Sequence, residues 1–404
     1  MNTQQTFLTT ESVSPAVLVL ALAMAPAVGL GIARFAYALV LPDMRTDLGW
    51  SWTAAGWMNT SNALGYLVGA LLSARAIDKW GSGATMLSGA LACVISLVLC
   101  AVLTDSVLLN MARVLAGLGG GLAFVAGGVL AASVSARDPD RSSFLLGLFY
   151  AGPGLGIAIS GLVVPVTLYL IGPGSWSMAW ALLAVISIPL VGALMFGLRA
   201  EGGPRPRSQV KVSLGNVRLL LTGYCLFGVG YIAYMTFMIA WVRDGGGSVV
   251  DQSLFWALIG VAAMISPWLW ARVHRCLKHG HAFALLCSLT AIGGVVPLIH
   301  NGPIALYVSG AIFGCTFFAV VASTTVFVRR NYAEAAWGRA IGVLTVSFGI
   351  GQVLGPVVIG VVNDATGGLS SGLIASTGLL VLGALMGGLQ RDIERIPKSR
   401  LRAK

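Results

Sequence analysis

The feature that most constrains the fold is a series of long apolar stretches, almost free of charge, that recurs along the whole chain. Each stretch is longer than about 18 residues, which is enough for a helix to cross about 30 Å of hydrocarbon. Charged residues make up only 10% of the chain, whereas soluble domains average about 25%. The short alternating segments of an outer-membrane barrel are absent. The sequence therefore predicts an all-α membrane protein.

We predict twelve transmembrane helices, at residues 14–41, 51–74, 84–104, 106–134, 143–170, 176–198, 216–242, 252–272, 281–299, 303–327, 339–362 and 371–390. The connections after the even-numbered spans, together with the tail from Arg391, hold 21 of the 25 Lys and Arg residues. The positive-inside rule then places both termini in the cytoplasm, as an even number of spans requires. This distribution accounts for the net charge of +11 without nucleic acid.

The longest polar connection divides the chain into two halves. We expect residues 1–200 to form an N-terminal six-helix bundle, 201–216 a cytoplasmic linker, and 217–404 a C-terminal six-helix bundle with a basic cytoplasmic tail. A weak repeat supports this division, because Gly-x-Gly occurs in spans one and seven and Gly-Pro in spans five and eleven. The pattern predicts two pseudo-symmetric bundles.

Arg34 lies inside the first span with no acidic residue nearby in sequence. A charge within a membrane span costs roughly 2.5–3.5 kcal/mol on insertion scales and usually faces a cavity or a partner. Arg113 is the other basic residue well inside a span, and no Asp or Glu lies near the middle of one. This excess of basic over acidic residues inside the spans predicts a positive central cavity that suits an anion. Alternatively, Arg113 snorkels to the membrane interface.

Other polar residues fall at a similar depth. Asn59, Asn62 and Tyr66 recur at i, i+3 and i+7 in span two, on one helical face. Hydrogen bonding between helices is the alternative role of each residue taken alone. With the two arginines, they complete the predicted substrate-binding set, which is Arg34, Tyr37, Asn59, Asn62, Tyr66, Arg113, Tyr150, Tyr231, Tyr234 and Gln352.

The turn after span two reads Asp78-Lys79-Trp80-Gly81 and resembles the signature of the major facilitator superfamily. The match is partial, since Ala74 replaces the leading Gly of the signature and Ser82-Gly83 replace its basic pair. The resemblance implies a cytoplasmic latch in which Asp78 meets a helix N-terminus. The alternative is a charged turn that anchors the span at the lipid surface.

Two further motifs resemble this superfamily. Arg113 followed by Gly117 and Gly121 is similar to its fourth-helix motif, in which the Arg is implicated in proton coupling or charge balance. The run Gly152–Gly156 resembles the fifth-helix motif of antiporters, although the recurrence of Gly-Pro in span eleven favours a repeated bent point. The residues that we expect to govern conformational change are Asp78, Lys79, Gly81, Gly117, Gly121, Gly152, Pro153, Gly355 and Pro356.

The first span, from Gly31 through Arg34, Phe35 and Tyr37 to Pro42, is similar to the largely uncharacterised bacterial YbfB/YjiJ-like group of the superfamily. The superfamily resemblance covers the whole chain and implies the major facilitator fold, in which spans one, four, seven and ten line a central cavity. It also implies alternating access as the two halves rock around that cavity.

We therefore predict a secondary active transporter that moves a small organic anion, in particular a carboxylate, across the bacterial inner membrane. We expect a proton-linked symporter that acts as a monomer in the lipid bilayer. The alternative is an exporter, working as an antiporter, of hydrophobic or drug-like compounds. No phosphate-binding loop, nucleophile-plus-base pair or metal-ligand cluster occurs, so we expect no enzyme activity, no cofactor and no metal.

Overall fold

The computed structural model describes residues 14–199, 217–300, 302–333 and 336–393. These residues form twelve long helices and no strand. The helices are α1 Pro15–Asp47, α2 Trp52–Trp80, α3 Ser82–Val102, α4 Ser106–Ser135, α5 Ser142–Ile171, α6 Trp176–Arg199, α7 Arg218–Asp244, α8 Val249–Cys276, α9 His281–Ile299, α10 Pro303–Asn331, α11 Trp337–Thr366 and α12 Leu369–Leu389. Within the described ranges, 11 helices are long and apolar enough to cross a membrane. The exception, α2, carries the polar run from Asn59 to Asn62.

Several helices are longer than the apolar stretches that predict them. Helix α1 continues through Pro42 to Asp47 rather than ending at residue 41, and α2 continues to Trp80 rather than residue 74. The ends of α2 follow capping instead of hydropathy: the Ser51 hydroxyl accepts from Ala54 N at 3.1 Å at its start, and the helix ends where Gly81 adopts a φ of 82°. The predicted linker 201–216 lies outside the described residues, so that boundary stays a prediction.

The two halves repeat the same packing. Gly152 lies so close to α1 that a Cβ atom there would collide with the carbonyl oxygen of Ala23. Gly355 packs on α7 in the same way, with a Cβ position 2.7 Å from the carbonyl oxygen of Val229. Both helices continue without interruption through Pro153 and Pro356. The repeated Gly-Pro pair therefore marks close packing of α5 on α1 and of α11 on α7.

The halves pack against each other where α5 meets α8. Further contacts join them at the end of the bundle at which α1 finishes and α2 begins, which we call the opposite face. The Asp364 carboxylate, at the end of α11, accepts hydrogen bonds from Trp52 N at 2.8 Å and Thr53 N at 2.9 Å. Closer to the centre, the Thr60 hydroxyl donates to Val353 O at 2.8 Å. These contacts close the gap between the halves at the opposite face.

The other end, at which α2 finishes and α3 begins, is the basic face. Among the described residues, α4 and α10 share no extended contact. The Tyr150 side chain of α5 is 46% exposed. Beside the α5–α8 contact, the space between α4 and α10 is therefore open toward the basic face.

Candidate substrate-binding site

A change in helix geometry positions Arg34. Residues Ala27–Phe35 of α1 form a π-helix, a form that is rare and frequently found at functional sites. Close packing holds this segment on α5, because a Cβ atom at Gly31 would lie 2.5 Å from both Gly156 Cα and Pro153 O. Arg34 lies at the end of the π-helical segment. Its position is therefore fixed by backbone contacts between two helices.

The Arg34 side chain is 3% exposed and lies among aromatic rings. Its guanidinium carbon is 4.9 Å from the ring centre of Tyr66 and 5.7 Å from that of Phe35. In the described part of the chain, no carboxylate pairs with this side chain and no group hydrogen-bonds to it, and its Nε and Nη2 atoms are buried. A buried charge ordinarily has a partner. This geometry leaves two donors of one guanidinium, in the arrangement that a carboxylate accepts in a bidentate pair, without a partner in the described ranges.

Arg113 is fully buried and is used differently. It donates to the carbonyl oxygens of Ala33 and, at 3.3 Å, of Arg34, and it lies 5.2 Å from the ring centre of Tyr37. Arg113 thus supports the end of the π-helical segment and places its charge next to the Arg34 backbone. Direct contact between Arg113 and a substrate stays a prediction.

Tyr66, Tyr231 and Gln352 lie together with Arg34. Tyr231 stacks on Phe317 at 6.0 Å, and Phe317 packs at 6.2 Å against Phe35, the residue next to Arg34. The Gln352 side chain, 1% exposed, donates from Nε2 to the Tyr231 hydroxyl, while its Oε1 has no partner among the described residues. Arg34 and Tyr66 belong to the N-terminal half and the other two residues to the C-terminal half. The site therefore spans the interface between the halves.

The two predicted asparagines are engaged in helix contacts. Asn59 Nδ2 donates to Thr236 Oγ1 at 2.6 Å, which joins α2 to α7 across the two halves. Asn62 Nδ2 donates to the carbonyl oxygen of Arg113 at 3.2 Å, within the N-terminal half. The Oδ1 atom of each is buried without a partner in the described ranges. These contacts correspond to the alternative role, hydrogen bonding between helices.

Three predicted tyrosines lie away from the Arg34 guanidinium. The Tyr37 hydroxyl donates to Ala55 O at 2.7 Å, and the Tyr234 hydroxyl is hydrogen-bonded to Ser309 Oγ at 2.5 Å. Both side chains are buried between helices. Tyr150 lies instead on the open side, between the site and the basic face.

The structure adds aromatic residues that the sequence reasoning missed. Phe35 packs edge-on against Phe317 and Phe318 of α10, at centroid distances of 6.2 and 6.3 Å. Phe348 of α11 stacks on Tyr231 at 5.5 Å. The signal was available, because the adjacent Phe pair lies in a span that the family resemblance assigns to the cavity wall. These rings give the site an apolar lining.

The predicted conformational residues fall into two groups. Asp78 and Lys79 are exposed in the last turn of α2, and within the described ranges Asp78 has neither a hydrogen bond nor an ion pair. The predicted latch is therefore not engaged here. Gly117 and Gly121 instead pack α4 on α2, where a Cβ atom at Gly121 would lie 2.6 Å from the Tyr66 carbonyl oxygen.

Twelve helices in two equivalent halves, with buried polar residues at the interface, define a membrane transporter of the major facilitator type. A family model confirms this class and the expected group. The chain belongs to the family described as the uncharacterised MFS-type transporter YbfB, whose model matches residues 26–387. The family and the relatives are transporters, not enzymes.

Three known proteins illustrate the similarity. A hexuronate transporter of Bacillus subtilis (strain 168) is 24% identical over 402 residues, which cover 87% of this chain and 89% of that protein. The inner membrane transport protein YdhP of Escherichia coli O157:H7 is 26% identical over 351 residues, covering 85% and 88% of the two chains. The crystal structure of a mutant of the nucleoside transporter NupG superposes with a TM-score of 0.71 at 14% identity, covering 92% and 99%.

Proposed function

We propose that this protein is a secondary active transporter that moves a small organic anion, a carboxylate, across the bacterial inner membrane by alternating access. The observation that carries the proposal is the buried guanidinium of Arg34, which has no partner in the described part of the chain. The planar guanidinium can donate two parallel hydrogen bonds to a carboxylate, whereas a point-like ammonium group cannot. Arg113 positions the backbone beneath Arg34 and adds positive potential.

The distribution of basic residues supports an orientation for the cycle. If the positive-inside rule holds, the basic face lies in the cytoplasm and the structure is open to the cell interior. Rocking of the halves would then break the contacts of Asp364 and Thr60 and expose the site to the other side. We infer one site in one chain, with a proton as the coupling ion.

The relatives agree with this substrate class. The related Bacillus protein carries hexuronate in its name, and a hexuronate is an organic carboxylate. The name of the Escherichia coli relative agrees with an inner-membrane location. At identities of 24% and 26% these names support the proposal without identifying the substrate.

A thermal-shift screen of the purified protein against organic acids and cationic drugs tests the proposal. A ligand at a hundredfold excess over its Kd adds about 2.7 kcal/mol of stability to the folded state. We expect carboxylates to raise the melting temperature and cationic drugs to leave it unchanged. Stabilisation by cations alone would contradict the proposal.

A second candidate is export of hydrophobic or drug-like compounds by an antiporter. The observation in its favour is the aromatic lining formed by Phe35, Phe317, Phe318 and Phe348. Against it stands the absence, within the described helices, of a carboxylate beside the site that would pair with a cationic drug. The same screen separates the two functions.

A further inference from the structure

We propose that Gln352 and Tyr231 recognise a hydroxyl group of the substrate, so that the site selects hydroxylated carboxylates over plain ones. This inference rests on the proposed function and specifies its substrate class. Arg34 binds the carboxylate from the N-terminal half, and the Gln352–Tyr231 pair binds the hydroxyl from the C-terminal half.

The chemistry of the pair leads to a hydroxyl. As placed, the Gln352 amide donates to the Tyr231 oxygen, which leaves Gln352 Oε1 as an acceptor and the Tyr231 proton as a donor. If the amide is turned over, Tyr231 donates to Oε1 and Nε2 becomes the free donor. Either arrangement offers one donor and one acceptor. A hydroxyl group, which both donates and accepts, satisfies either arrangement.

Burial makes this recognition selective. Gln352 and Tyr231 are 1% and 3% exposed, so water reaches them poorly. A site with buried hydrogen-bonding groups rejects a ligand that lacks the matching hydroxyl, because those groups then stay unpaired. A hydroxylated carboxylate also touches both halves at once. A plain carboxylate forms hydrogen bonds only with the half that carries Arg34.

The test compares binding within matched pairs of acids: lactate with propionate, gluconate with hexanoate, and glucuronate with cyclohexanecarboxylate. We expect at least one hydroxylated acid to bind about tenfold or more tightly than its partner, as one or two hydrogen bonds provide. Gln352→Met keeps the size of the side chain and removes its polar groups. It should abolish this preference, so that in the variant the hydroxylated acid binds no more tightly than its plain partner.

Two controls complete the design. Gln252→Met changes the same residue type in α8, where the side chain donates to Gly247 O, and should keep the preference. Tyr231→Phe retains the ring stack and should weaken the preference as Gln352→Met does. Equal affinities within every pair would overturn the inference and leave the proposed function intact. Binding of no acid at all would overturn the proposed function itself.

A different observation carries a second proposal: we infer that Asp364 is the latch that holds the opposite face closed. Its carboxylate accepts from Trp52 N, from Thr53 N and, at 2.5 Å, from the Thr53 hydroxyl, all at the first turn of α2. The partial positive charge of a helix N-terminus strengthens such contacts. Asp364 belongs to one half and α2 to the other, so these bonds exist only while the face is closed.

Two carboxylates at opposite ends of the molecule are in contrasting states. Asp364 is hydrogen-bonded where the halves meet, whereas Asp78, at the basic face, has no partner among the described residues. Opening of the opposite face would release Asp364. The energy of its three bonds therefore biases the empty transporter toward the conformation that is open at the basic face.

Spin-label distances test this latch. Labels at Thr46 and Thr366, both exposed at the opposite face, report its opening in a protein whose exposed Cys276 is replaced by Ser. We expect Asp364→Asn to add a longer distance to the single short distance of the parent. Asp105→Asn is the matched control, because Asp105 caps α4 within one half, at 2.9 Å from Val107 N. Identical distance distributions in Asp364→Asn and the parent, with both folded by melting temperature, would overturn the proposal.

Discussion

Replacing Arg34 by Ala is the sharpest test of the binding site. Two buried nitrogens of this guanidinium, Nε and Nη2, have no partner in the described part of the protein, so a bound carboxylate would supply two charge-assisted hydrogen bonds. Each bond of this kind contributes about 1.5–3 kcal/mol, which gives roughly 3–6 kcal/mol for the pair. Because 1.4 kcal/mol is tenfold in affinity, we expect a loss of about 10²–10⁴-fold in binding.

Folding should survive this change. The Arg34 side chain forms no hydrogen bond within the described protein, and removing an unpaired charge from a membrane span relieves a cost rather than adding one. We expect normal membrane insertion and an unchanged or raised melting temperature. Arg34→Lys should recover little binding, because a point-like ammonium lacks the planar fork.

The assay is calorimetric binding of the acid that the thermal-shift screen identifies, followed by its uptake into proteoliposomes. Arg45→Ala is the control for loss of a positive charge, since Arg45 stacks on Trp52 at 3.7 Å near the opposite face, away from the site. It should keep full affinity. Wild-type affinity and uptake in Arg34→Ala would refute the reasoning and make Arg34 a packing residue.

Three further predictions concern stability, topology and energetics. Arg113→Ala should lower the melting temperature and the folded yield, since two buried carbonyl groups then lose their partner at roughly 1–3 kcal/mol each; an unchanged melting temperature would contradict its supporting role. Cysteine labelling should place Gly203 and Lys398, which lie outside the described residues, in the cytoplasm and Gly246 outside, whereas the reverse would overturn the orientation. Uptake should be stimulated by an inward proton gradient. This stimulation should survive Asp→Asn changes made singly at the carboxylates near span ends, which are Asp43, Asp78, Asp105 and Asp364. A change that uncouples uptake from the gradient while exchange persists would identify that carboxylate as the proton carrier.

The sequence was sufficient for the helical architecture because hydropathy and the distribution of basic residues act over whole spans. It was less informative about helix ends, which depend on capping groups such as Ser51 and on the conformation of Gly81. The π-helical segment of α1 was not predicted at all. Its position depends on tertiary contacts, such as that of Gly31 with α5, and a pattern of apolar residues does not reveal such contacts.

The candidate site was partly accessible from sequence. The absence of an acidic residue near Arg34 in its span identified this arginine as a candidate, and helical spacing identified Tyr66. Sequence alone could not distinguish the two arginines, since only their contacts show that the Arg113 side chain is bonded to backbone carbonyls and that of Arg34 is not. The pairing of Gln352 with Tyr231 joins positions 121 residues apart, so it required the fold.

The internal bonding of Arg113 has a consequence for how membrane voltage acts on the transporter. Because its charge is held by the backbone of α1, the charge that a substrate neutralises is that of Arg34 alone. A site that holds a monoanion then carries one positive charge fewer than the empty site. One elementary charge across 100 mV corresponds to about 2.3 kcal/mol. In the proposed orientation, a voltage that is negative inside favours the empty, more positive site facing the cytoplasm, which is the conformation of this structure. Binding of a monoanion lowers that electrical bias by one elementary charge, so the loaded transporter turns against a smaller electrical barrier than the empty one.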